Sequence, residues 1–214
     1  MTARPWKSSR DIAAIYWRST NDRSGIEVRG APPHNRRMIF KTAALLLLRI
    51  TVVIYNSEAI GGTELARAEA IAGRIFQKAG VEVIWRRATG ADTSPGPSEI
   101  PLHIVAAHPA NLTRDSNGFA VLMPEGSYAG ISAADVRQTA ESLDVDEPVL
   151  LAALIAHEIG HVLLGTREHS ASGVMAPRFG SREILAARRG ELRFLHSEAR
   201  RIRDAVERRT TAIK

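Results

Sequence analysis

Two histidines four residues apart, His157 and His161, stand with a glutamate between them at the end of a long apolar run, in the segment 157–175 that reads HEIGHVLLGTREHSASGVM. On a helix, residues four apart share one face a single turn apart, so both imidazoles can bind the same ion. Glu158 then stands beside that ion without ligating it, where its carboxylate can take a proton from a metal-activated water. A hydrolytic zinc site has three protein ligands and one open position, so a third ligand has to come from outside the pair. Gly165 can end the helix in the left-handed conformation. His169, four residues further on, could then swing back to the metal. Beyond it, the stretch 172–177 is turn-forming and carries Met175.

This order of HExxH, glycine, third histidine and methionine turn resembles the metzincin zinc metallopeptidases. The resemblance implies one catalytic Zn2+ held by His157, His161 and His169, with Glu158 as general base, Gly165 as the helix exit and Met175 as the methionine under the metal. It implies a zinc-dependent peptidase that hydrolyses peptide bonds through a metal-activated water and acts on a peptide or protein substrate. The fold it implies is α+β: a twisted mixed β-sheet with an antiparallel edge strand, packed on a long helix and the buried active-site helix, and followed by a helical C-terminal part. The family pattern is HExxHxxGxxH. Here three residues separate His161 from Gly165 and three more separate Gly165 from His169, so the spacing is two residues longer.

Among enzymes, the rival is an HExxH peptidase with an acidic third ligand, Glu183 from a later helix, Glu168 being the weaker choice. Outside enzymes, the rival is a zinc-stabilised relative that binds peptides without cutting them. The intact Glu158 speaks against that reading, because a purely structural zinc site closes with a fourth protein ligand and has no use for a base.

At 214 residues, with 44% hydrophobic and 24% charged residues, the chain has the composition of an ordinary globular protein. It has no cysteine, which excludes a disulfide scaffold and a thiolate zinc site, so any metal must be held by histidine and carboxylate. The net charge of +6 is unevenly spread. Residues 1–37 hold eight basic and three acidic side chains and residues 181–214 hold ten and five, while the body between holds eleven and fifteen. Basic ends of this kind are most often solvated surface, and no aromatic-basic platform or helix-turn-helix pattern accompanies them, so no nucleic-acid partner is expected. Residues 1–37, without sustained periodicity, are expected to be a disordered basic extension, and 38–214 the zinc metallopeptidase domain. The segment Arg36–Lys41 ahead of a short apolar run partly matches a twin-arginine export signal, interrupted by Arg49. No run reaches the ~20 apolar residues that span a bilayer, so no transmembrane segment is expected.

The remaining periodicities supply the frame for the site. Strands are expected at 50–55, 81–85 and 102–106, and a helix with one apolar stripe at 63–79, closed by Gly80. Strand, helix, strand in that order implies a parallel crossover. His108, just past the third strand, is a site candidate by proximity alone. Two short apolar segments, 119–123 and 128–131, flank a turn at 124–127, and the resemblance assigns one of them to the antiparallel edge strand beside the cleft. A short helix is expected at 133–143. The active-site helix should begin near Asp146-Glu147-Pro148, and its apolar residues run almost all round, which predicts burial. Helices from 181 to Gly190 and from 197 to 209 complete the chain.

Overall fold

β1 (Leu48–Asn56) carries a β-branched run, Ile50 to Ile54, whose residues 52–54 are buried on both faces, as a central strand requires. The computed structural model describes residues 48–56, 59–89, 95–96, 98–107, 117–123 and 126–211. The N-terminal extension, the arginine pair at 36–37 and His108 lie outside the described residues.

After β1 the chain forms α1 (Gly62–Lys78), whose buried stripe is Leu65, Ala68, Ala72, Ile75 and Phe76. Gly80, at φ +84°, turns it into β2 (Val81–Arg87), which pairs in parallel with β1. β3 (Glu99–Val105) pairs in parallel with the other side of β1. It begins three residues earlier than the sequence predicts. Pro101 reads as a strand breaker, yet pairing to the far neighbour starts only at Leu102, so at Pro101 the ladder has one partner and tolerates a residue without an N–H.

β4 (Gly118–Val121) and β5 (Tyr128–Ser132) complete a five-stranded sheet in the order β2-β1-β3-β5-β4. β5 is parallel to β3, whereas β4 is antiparallel to β5 and forms the edge. Of the two short segments, it is therefore the first that makes the antiparallel edge strand. Ser132 ends β5 and caps α2 (Ala133–Ser142), its hydroxyl accepting from the Asp135 N–H.

α3 (Glu147–Leu164) starts with Pro148 in its first turn, as predicted. Asp146 holds the cap position with extended backbone, but its carboxylate pairs with Arg67 of α1 and makes no bond to the helix N–H groups. Leu150, Leu151, Ile155 and Ile159 are almost fully buried and pack with Ile54, Leu102, Ile104 and Ile131 of the sheet and Phe76 of α1 in one core. Among the described residues α3 is the one helix long and apolar enough to cross a membrane, and 83% of it is buried inside the protein. Its hydrophobicity is accounted for by this central place in the core.

α4 (Ser181–Arg188) and α5 (His196–Thr211) form the helical C-terminal part. Phe194, just ahead of α5, packs against Phe76 with ring centroids 5.3 Å apart and reaches α3 at Gly160. A Cβ on Gly160 would stand 2.6 Å from the Met175 sulfur and 3.0 Å from the Phe194 ring. Both groups fill the space that a side chain would need, and neither can leave a packed core without opening a void. Gly160→Ala is accordingly expected to destabilise the fold by about 1–3 kcal/mol, read as a lowered urea midpoint with an unchanged slope. An unchanged midpoint would mean that Met175 and Phe194 can repack.

Candidate metal centre

The two histidines of α3 project from its last two turns, and both are buried. Each is aimed by a backbone carbonyl. His157 Nδ1 lies 2.7 Å from the Val174 oxygen and His161 Nδ1 lies 2.8 Å from the Thr166 oxygen. A carbonyl can only accept, so both Nδ1 atoms carry the proton and both Nε2 atoms present a lone pair. Those two Nε2 atoms face each other at 3.0 Å. Burial pushes the His157 imidazole down to about 4, the neighbouring histidines adding to the effect and the Val174 carbonyl opposing it. His161 is lowered as well, again chiefly by burial. At neutral pH no proton lies between the two rings, so two lone pairs confront one another out of water.

His169 completes the group. Gly165 ends α3 at φ +63°, its N–H bonded to the His161 carbonyl, and releases the chain into the loop that brings His169 back over the helix. Its ring stacks on that of His157 with centroids 5.3 Å apart and meets His161 edge-on at 4.9 Å. One nitrogen from each of the three rings lies within 4.8 Å of the others. His169 is exposed, which leaves one side of the cluster open. One of the two extra residues lengthens α3 ahead of Gly165 and the other lengthens the loop after it, and together they do not keep His169 from the pair. Two facing lone pairs with no shared proton suit a cation, and three imidazoles with one open side suit a transition metal such as zinc.

The other predicted residues fall as follows. Met175 is buried, its sulfur beneath α3 at Gly160, between the two histidines in sequence. Glu158 is buried beside the cluster and faces the edge strand: a Cβ on Gly118 would stand 2.7 Å from its Oε1 and 2.9 Å from its Cγ. Glu183 does not join the histidines. It lines a separate groove with Lys78, Gly173 and Arg189. Glu168 is exposed in the loop, its N–H bonded to the Thr166 hydroxyl. His103, which is not among the predicted site residues, sits on the sheet, stacked on Tyr55 and edge-on to Tyr128.

Sequence reading missed four contributors. Val174 and Thr166 act through their carbonyls, which leave no trace in residue type. Gly118 and Gly160 are needed for close approach, and a glycine inside a strand or a helix is the one signal that could have found them. A cavity of about 370 Å³ adjoins His157 and Glu158, walled by Leu143, Leu150, Leu154 and Phe179, with Asn117 and Thr139 as polar neighbours.

The chain matches no model of a known protein family, and no curated protein matches it.

Burial pushes the Glu158 carboxyl up to about 8, from an ordinary 4.5. In metal-free protein the folded state therefore keeps a proton that the unfolded chain loses above pH 4.5, so this residue costs stability progressively as pH rises. A cation among the imidazoles would reverse the balance by favouring the carboxylate. In EDTA, Glu158→Gln is expected to match wild type near pH 4.5 and to gain on it by up to about 1.4 kcal/mol per pH unit towards pH 8. Urea midpoints across that range measure this, and a difference independent of pH would contradict the burial argument.

Proposed function

We propose that the chain is a zinc-dependent peptidase of metzincin-like architecture, with His157, His161 and His169 as the metal ligands and Glu158 as the general base. The observation that carries this reading is the pair of buried imidazoles whose lone pairs face each other at 3.0 Å, with a third histidine and a buried carboxyl at hand. The mostly parallel sheet with an antiparallel edge, and the buried helix bearing the histidines, agree with that architecture.

A bound zinc ion supplies Lewis acidity, drawing electron density from a water and from the scissile carbonyl. The chain does the rest. Val174 and Thr166 hold their imidazoles in the tautomer that offers Nε2, so binding the ion displaces no proton from either ring at neutral pH. Glu158, ionised once the cation is present, accepts a proton from the water at a carboxylate oxygen and gives it to the leaving amine nitrogen. Gly118 lets β4 run against Glu158, so a peptide extended beside β4 would carry its scissile bond past the base. The cavity next to His157 and Glu158, walled in part by Leu143, Leu150, Leu154 and Phe179, has room for one side chain of that peptide.

The base assignment has a direct test. Glu158→Gln keeps the shape of the side chain but not the basic oxygen, and should lower peptide hydrolysis by about 10²–10⁴-fold while zinc content stays at the wild-type level. Hydrolysis of a peptide library at the wild-type rate by the variant would remove Glu158 from the mechanism.

A further inference from the structure

His157 and His161 each have a carbonyl to fix the ring, whereas His169 makes no hydrogen bond among the described residues. Its position must come from the backbone of its loop. That loop is held at the next residue. The Ser170 N–H bonds to the Met175 carbonyl at 2.8 Å, and the Ser170 hydroxyl donates to Oε1 of Glu198, in the first turn of α5.

Glu198 is a buried acid with no ion-pair partner among the described residues, and the proposed chemistry does not use it. Its second oxygen accepts from the Leu195 N–H at 2.7 Å, the bond by which a glutamate three residues into a helix caps the preceding turn. One carboxyl group therefore does two things: it starts α5 and grips the residue that follows the third histidine. The same stretch of chain holds the opposite side of the loop. The Arg193 carbonyl accepts from the Val174 N–H at 3.1 Å, and it approaches Gly173 so closely that a Cβ there would lie 2.8 Å away. Val174 is in turn the residue whose carbonyl aims His157.

We propose that Glu198 is a positioning residue of the metal centre, acting through Ser170 to hold His169 at the cluster. The inference rests on the reading of the three histidines as a zinc site. Hydrogen-bonded groups that orient a ligand typically change metal affinity by about 10–100-fold when removed. Because loss of the Glu198 side chain would also uncap α5, the cleaner probe is the serine.

Zinc affinity, measured by competition with a chromogenic chelator, should fall by about tenfold or more in Ser170→Ala and stay close to wild type in Ser170→Thr, which keeps the hydroxyl. In a His169→Ala background, Ser170→Ala should cost no further affinity, since the ligand that it positions is gone. A general loosening of the fold would weaken zinc in both backgrounds alike. Wild-type affinity in Ser170→Ala, or an equal loss with and without His169, would overturn the inference while leaving the zinc site standing. Absence of zinc binding by the wild type would instead remove the site and this inference together.

Discussion

Two imidazole nitrogens confront each other at 3.0 Å inside the protein, each with its lone pair forward and its proton committed to a carbonyl behind it. Buried acceptors without a donor are costly, and burial holds both rings neutral, so neither can relieve the other by taking up a proton near pH 7. A cation turns this arrangement from a penalty into a binding site. Much of the surrounding architecture can be understood as the means of keeping the two rings where they are.

That architecture works from both ends of the pair. α3 is fixed by apolar packing against the sheet and α1, and its left-handed exit at Gly165 sets the direction of the following loop. The loop then passes back under the helix, where Met175 occupies the space left by the missing side chain of Gly160. From the far side, the segment 193–198 bonds to Val174 and Ser170, and Arg201 of α5 donates to the Leu164 carbonyl at the end of α3. Helix, loop and C-terminal helix thus form a closed circuit of hydrogen bonds around the cluster. The edge strand approaches the same region at Gly118, where the absence of a side chain lets the sheet come close to the Glu158 carboxyl.

The readable parts of this design were those with a local signature. The buried strand at 48–56, the striped helix α1 and the apolar α3 each carry a period, and the HExxH spacing places two nitrogens on one helical face whatever the rest of the chain does. Gly165 and His169 could be read because the sharp exit and the return follow one another within a few residues. What could not be read depends on contacts between distant segments. Nothing in the letters Val174 or Thr166 tells that a carbonyl there will orient a histidine. Glu198 falls inside the helix expected at 197–209, but its bond to Ser170, 28 residues earlier, exists only once α5 has docked. The start of β3 could not be read either, since the place of Pro101 in the sheet depends on how far β5 extends.

The account depends on a metal held by three histidines, and zinc content per chain by elemental analysis tests it most directly, on wild type and on His169→Ala purified without added metal. The account predicts about one zinc per chain in the wild type, as a three-ligand site with an open position requires, and well below that in the variant, whose two remaining imidazoles bind zinc more weakly. A folded wild type without zinc, or a variant that keeps it fully, would contradict the three-histidine centre.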